Sequence, residues 1–179
     1  MRAELLTIGS ELMSGATINT NAAYLSRRLS GLGIICQRQV TVSDERLCII
    51  EAIREATRRC DLLLITGGLG PTFDDVTIEA IAEAASRKLI HFPKVARQIQ
   101  RFYSRRNRAL RHAALRQAYL PKGGVALSNN IGTAAGLWLK LPSSLIIALP
   151  GVPREMRAIM EQSVMARLKQ FTDTHPIAS

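Results

Sequence analysis

The run Leu62-Leu63-Leu64-Ile65 constrains this chain more than any other stretch. It is short and uniformly apolar, between Asp61 and Thr66, so it reads as a central strand covered on both faces. Such a strand requires helices on each side of its sheet. The chain supplies them in alternation. Leu5–Ile8 reads as a strand, Asn21–Leu32 as a helix with Ala22, Leu25, Leu29 and Leu32 on one face, and Gly33 as its C-terminal cap. Ile34–Val42 is a second strand. Glu45–Arg59 is a helix with Leu47, Ile50, Ile53 and Ala56 as its core stripe. The strand Asp61–Thr66 and the helix Asp74–Ser86 follow, then a helix from Pro93 to about Arg106. A short helix is expected at Ala113–Tyr119, a turn at Pro121–Gly124, and strands at Gly136–Leu141 and Leu145–Leu149. A last helix opens near Pro153, with Met156, Ile159, Met160, Val164 and Leu168 inward. The pattern predicts an α/β fold, a mostly parallel sheet between two helical layers, over residues 1–170, with 171–179 as a tail or linker.

In such folds ligands bind outside the carboxyl ends of the strands. The loop after the central strand, Thr66-Gly-Gly-Leu-Gly-Pro-Thr-Phe-Asp-Asp-Val-Thr77, is therefore the first candidate. Its glycines lead into a helix N-terminus, where free backbone N–H groups attract anions. Asp74 and Asp75 would repel a bare phosphate, and a divalent cation such as magnesium resolves that conflict, since it is held by one or two carboxylates plus phosphate oxygens. The plainer reading is that both acids complement the helix dipole. The loop is neither a P-loop, lacking G-x-x-x-x-G-K-[ST], nor a dinucleotide fingerprint, because Phe73 stands where the third glycine belongs.

Three further loops fall on the same edge: Gly9–Gly15, Val42–Asp44 and Leu149–Glu155. In the last, Gly151 permits an unusual turn, Pro153 suits a first helical turn, Arg154 can pair with a phosphate, and Glu155 is either a ligand or a dipole partner. Thr20 or Asn21 is expected to cap the helix that follows, and Asn129 to make an Asx-turn.

The net charge is +10, but its distribution is uneven. Between Glu83 and Glu155 there is no acid, and 13 lysines and arginines lie in that span. A basic half points to polyanions, either nucleic acid or phosphorylated small molecules, while a solvated helix face is the bland account. Arg97, Arg101, Arg105 and Arg108 are spaced to share one helical face, with Ile99 and Phe102 turned away. Cys36, Cys48 and Cys60 lack metal spacing and read as buried reduced thiols of a cytoplasmic protein. No stretch is long enough to span a membrane, and Met1–Ile8 is too short and acidic for a signal peptide. His91, His112 and His175 sit in no motif, and no G-x-S-x-G occurs.

Four blocks in order carry a resemblance: Gly9-Ser-Glu-Leu-Met-Ser-Gly15 with Asn19-Thr-Asn21; Thr66–Thr77; Asn129-Asn-Ile-Gly-Thr-Ala-Ala-Gly136; and Leu149-Pro-Gly-Val-Pro-Arg-Glu155. Over about residues 3–168 the chain resembles the molybdopterin-binding, MoaB/MogA-like domain family, and within it the CinA type of N-terminal domain. The resemblance implies a three-layer α/β fold. It also implies one of two chemistries at a phosphoanhydride beside an adenylate. One is metal-dependent hydrolysis of ADP-ribose to AMP and ribose 5-phosphate. The other is adenylyl transfer to molybdopterin. The two aspartates on which the adenylyltransferases rely match Asp44 and Asp75 here. Phosphate and substrate contacts are then expected from Gly9, Ser10 and Asn19; from Thr66, Gly67, Gly68, Gly70, Pro71 and Thr72; from Asn129, Gly132 and Thr133; and from Pro150, Gly151 and Arg154. Asp74, Asp75 and Glu155 are the expected metal ligands. The expected partner is a small nucleotide, in a homo-oligomer (dimer or trimer), with neither membrane nor nucleic acid involved. The resemblance departs at Ala135, where CinA relatives often carry Pro. It does not extend to the nicotinamide mononucleotide deamidase domain of longer CinA proteins, and it leaves the arginines of 97–111 unexplained. A non-catalytic basic module is the third possibility, although Phe102 and Tyr103 alone make a poor stacking platform.

Overall fold

The computed structural model describes residues 1–174. Its main sheet has six strands in the order β2-β1-β3-β8-β7-β6. They are β1 (Arg2–Ile8), β2 (Ile35–Val42), β3 (Leu62–Thr66), β6 (Val125–Leu127), β7 (Gly136–Lys140) and β8 (Leu145–Leu149). β2, β1, β3 and β8 are parallel, while β7 runs antiparallel to both its neighbours. Two short strands, β4 (Leu89–His91) and β5 (Tyr119–Pro121), pair separately.

The period-2 pleat divides the core into two layers. Leu63 and Ile65 of β3, with Ile146 and Ala148 of β8, pack beneath α3 (Arg46–Thr57), α4 (Thr77–Ala84) and α5 (Pro93–Ser104). Leu62 and Leu64, with Leu145, Ile147 and Leu149, pack on the other face. That face is covered by α2 (Thr20–Ser30), α6 (Pro153–Ile159) and α7 (Met165–Thr174), the last two joined through a π-helical turn at Met160–Val164. A short α1 (Ser10–Met13) follows β1, and a 3-10 turn spans His112–Ala118. All five residues of β3 are buried, as an unalternated apolar run requires. Glu4 on β1 is a buried acid, held at 2.6 and 2.9 Å by the guanidinium of Arg59.

Several expectations are corrected. Leu47 is 64% exposed; Ile49 takes its place beside Ile50, Ile53 and Ala56. The fourth helix begins at Thr77, so Asp74 and Asp75 lie in the loop before it and are not first-turn acids. Neither Thr20 nor Asn21 caps α2; Asn19 does, its Oδ1 accepting the Ala22 N–H at 3.0 Å. α5 stops at Ser104, where Asn107 adopts a left-handed backbone (φ 49°), so Arg108 is not on that helix. α7 continues through Phe171 to Thr174, past the expected boundary, and the rest of the expected tail, 175–179, lies outside the described residues.

Candidate functional site

β1 connects to β2 on one side, and β2 then crosses over β1 to β3, so the winding reverses between β1 and β3. A crevice belongs there, at the carboxyl ends of the strands. The structure has a cleft of about 290 Å3 at that point, lined by Asn19 and Asn21, by Thr66 and Gly67, and by Gly151 and Val152. Side chains bind these loops together. The Thr66 hydroxyl donates to the Pro150 carbonyl at 2.9 Å, and Asn21 Nδ2 donates to Thr66 Oγ1 (3.2 Å) and to the Gly151 carbonyl (2.8 Å). Asn19 Nδ2 donates to Thr7 Oγ1 at 2.9 Å. Asn21 Oδ1 is buried without a partner among the described residues.

The glycine loop turns sharply at Gly67 (φ 112°) and Gly68 (φ 65°), conformations that disfavour any side chain. A Cβ at Gly67 would strike the Ile8 carbonyl, and one at Gly68 the Thr77 hydroxyl. The loop's acceptors are tied off from behind. The Gly67 carbonyl takes the Thr77 hydroxyl at 2.9 Å, the Gly68 carbonyl the Thr77 N–H at 3.2 Å, and the Leu69 carbonyl Gln117 Nε2 at 2.9 Å. The Gly67 N–H donates to Leu149. The N–H groups of Gly68, Leu69 and Gly70 have no partner among the described residues. Leu149–Glu155 repeats this asymmetry: the carbonyls of Pro150, Gly151 and Val152 are engaged, whereas the Gly151 and Val152 N–H groups are not. Loops with satisfied acceptors and free donors form anion cradles.

The carboxylates are spread out. Asp75 Oδ2 accepts from the Thr72 N–H at 2.9 Å and from the Thr72 hydroxyl, and its head packs over Gly70, leaving Oδ1 open. Asp74 and Phe73 are exposed, and Pro71 is half-buried. Asp44 Oδ2 accepts the Ser10 N–H at 2.8 Å, which ties the loop after β2 to the loop after β1, while the Gly9 N–H donates to Val42. Glu155 lies apart from these, accepting Asn129 Nδ2 at 2.7 Å over Gly132. Among the described residues no three acids, imidazoles or thiols converge as a metal cage would need. Asp74 and Asp75 offer two carboxylates at most, so a cation held by them would have to draw its remaining ligands from phosphate or water.

Asn129 is 1% exposed and fully engaged: its Oδ1 accepts the Ile131 and Gly132 N–H groups, and its Nδ2 also donates to Ala134. It makes the expected Asx-turn and is scaffold for Gly132 and Thr133, not an open ligand group. Arg154 is exposed at the start of α6. Beside the Asn129 loop lies a second, larger cleft of about 850 Å3, lined from α5 by Arg97, Arg101 and Phe102. Phe102 thus shares the arginine side and carries the Arg106 guanidinium 3.6 Å from its ring centre. Only Ile99 turns away.

The sequence motifs assign no role to Thr77, Gln117 or Glu11, whose carboxylate packs beside Gly9 at the first cleft. The Val-Thr pair that closes the glycine loop was the available signal for Thr77; Gln117 had none. The cysteines are free thiols, but only Cys60 is buried, Cys36 and Cys48 being half-exposed; burial, aided by the charges of Glu4 and Asp61, pushes Cys60 up to about 11, which leaves it protonated and inert at neutral pH. Burial, then the hydrogen bond to Glu161, likewise raises Tyr24 to about 12. No described helix is long and apolar enough to cross a membrane.

Residues 4–170 match the model of the family described as "Probable molybdopterin binding domain". A CinA-like protein of Salinibacter ruber is 46% identical over 171 residues, covering 95% of this chain and 42% of that protein. One from Kosmotoga olearia is 42% identical, covering 96% and 42%. The chain thus spans about two fifths of these curated relatives. A solved structure of CinA from Thermoplasma acidophilum, described as of unknown function, superposes with a TM-score of 0.85 at 34% identity, over 94% of this chain and 97% of that one. The molybdopterin biosynthesis enzyme MoaB from Thermus thermophilus shares the fold, with a TM-score of 0.64 at 24% identity and 98% coverage of both. With its glycine cradle at the strand ends and these matches along nearly its whole length, the chain belongs to the molybdopterin-binding domain family, as a CinA-like member.

Proposed function

We propose that this domain hydrolyses the phosphoanhydride of a nucleoside diphosphate derivative, ADP-ribose by preference, in a metal-dependent reaction. The observation that supports this reading is the pair of loops whose carbonyls are tied back and whose N–H groups at 68–70 and 151–152 are unpaired, the two loops meeting at the cleft where Gly151 packs against Gly67. A diphosphate offers the acceptors those donors lack. Asp75, assisted by Asp74, would hold a divalent cation against the phosphates; the ion would supply charge neutralisation and a lowered pKa for bound water. The open oxygen of Asp44 takes the proton of the attacking water. The water oxygen bonds to one phosphorus, the bridging P–O bond breaks, and the products are AMP and ribose 5-phosphate. Fixed backbone donors favour this charge build-up because they need no reorientation during reaction.

The family match favours a second reading, adenylyl transfer to a molybdopterin phosphate, which uses the same cradle. A hydrolysis screen over ADP-ribose, FAD, NAD and ATP, with and without magnesium or manganese, separates the two. Metal-dependent release of AMP from ADP-ribose is expected. Inertness toward all four, with thermal stabilisation by a pterin phosphate, would replace hydrolysis by the second reading.

A further inference from the structure

We propose that the arginine-lined cleft is a second anion subsite, built for a phosphoryl group carried by the same ligand beyond its diphosphate. The proposal rests on the nucleotide reading above and narrows its substrate to derivatives with an additional phosphate. Lys94, Arg97, Arg101, Arg105 and Arg106 all line this one space of about 850 Å3. None forms an ion pair among the described residues, and the span between Glu83 and Glu155 holds no acid; Glu155 itself lies against Gly132 of the cleft, where Asn129 engages it. All five side chains are exposed; arginine keeps its charge at any working pH, and its planar guanidinium matches phosphate oxygens in pairs.

Both clefts open on the same edge of the sheet. β6 ends at Leu127, opposite Gly136, and Gly136 abuts Ala148 near the end of β8. The loop between β6 and β7 therefore leaves the sheet on the same edge as Thr66 and Leu149. The floor is firm as well: Gln98 donates to the Asn129 carbonyl, and Asn129 is clamped to Glu155, four residues beyond Gly151. The cleft is poorly suited to a nucleic-acid strand. Successive bases need open aromatic faces, yet Arg106 covers Phe102 and Tyr103 packs against the core.

The test uses the chain and its Arg97→Gln/Arg101→Gln variant. Binding of tripolyphosphate, ADP-ribose and ADP-ribose 2′-phosphate is measured by calorimetry, and turnover of both nucleotides is measured with magnesium. The wild type is expected to favour the 2′-phosphorylated nucleotide, and the variant to lose that preference and about tenfold in tripolyphosphate affinity. ADP-ribose itself should bind both forms alike. Equal binding of the two nucleotides to the wild type, or tripolyphosphate binding unchanged in the variant, overturns the proposal. So does an oligonucleotide of about twenty residues that outcompetes tripolyphosphate and loses affinity in the variant. If neither nucleotide is hydrolysed, the hydrolase reading fails while the calorimetric preference still decides the subsite.

Discussion

The two clefts on the carboxyl edge are made differently. The cleft at the β1–β3 reversal is bounded on one side by the glycine loop at Gly67 and the loop at Gly151, with carbonyls tied behind and N–H groups left over. The cleft beside α5 is walled by charged side chains on and just past the exposed face of that helix. A backbone cradle is rigid and intolerant of change, because its donors stay in place only if the whole loop does. A side-chain cleft is replaceable residue by residue, and its cations repel one another until an anion arrives. Substitutions should therefore damage the first cleft through structure and the second through binding alone.

Gly67→Ala should sharpen this contrast most. The new methyl meets the Ile8 carbonyl in a strained conformation, at a cost of roughly 4 kcal/mol. Thermal denaturation should show a fall of ten degrees or more; a wild-type melting curve would mean that the loop is not rigid. Asp75→Asn comes next, with the activation free energy for ADP-ribose hydrolysis rising by about 3 kcal/mol, roughly a hundredfold loss of rate. Its stability should change little, since an amide oxygen still accepts from Thr72. Full metal-dependent turnover would remove Asp75 from the site. Thr77→Val deletes the hydroxyl behind the Gly67 carbonyl and should lower stability by about 1–2 kcal/mol in urea titrations. A silent substitution there would break the argument that the loop is braced from behind. Arg97→Gln/Arg101→Gln should do the opposite, raising stability by about 0.5 kcal/mol or less at low salt, with the gain vanishing at high salt. A destabilised variant would show that these arginines hold the fold.

The smallest effect provides a control remote from both clefts. Burial raises the Asp61 carboxyl, but the N–H and guanidinium of Arg2 outweigh it and hold the group below its usual range. A depressed carboxylate contributes stability above its unfolded pKa and loses it as pH falls through the folded value. Asp61→Asn should thus cost about 0.5 kcal/mol or less near pH 6, given its exposure, and nothing once acid has protonated the group. A cost independent of pH would mean that the carboxyl acts through packing instead of charge.

The first cleft was far more legible than the second. Four apolar residues between Asp61 and Thr66, followed by three glycines within four positions, announce a buried parallel strand and an anion loop through short-range rules alone. The arginines were visible as charge, but their partner in the second cleft, the Asn129 loop, lies 31 residues from Gln98 along the chain. Phe102 was placed on the wrong side because helical spacing near a helix end says little about what packs there. Asp74 and Asp75 were read as helical because the apolar periodicity of 76–82 does not mark where an uncapped helix begins.

Local sequence determined the strand–loop–helix units, the glycine positions and the two-layer pattern, since the pleat, the helical repeat and left-handed backbone are set by neighbouring residues. Only the tertiary structure decided the strand order, the reversal of β7, and the bond from Asn21 to Gly151 across 130 positions. It alone decided that Asp44 braces Ser10 and that Glu155 is engaged by Asn129. The reason is physical: which loops meet at a sheet edge depends on how distant strands pair, and hydrogen bonds between distant residues leave no periodicity in the chain that makes them.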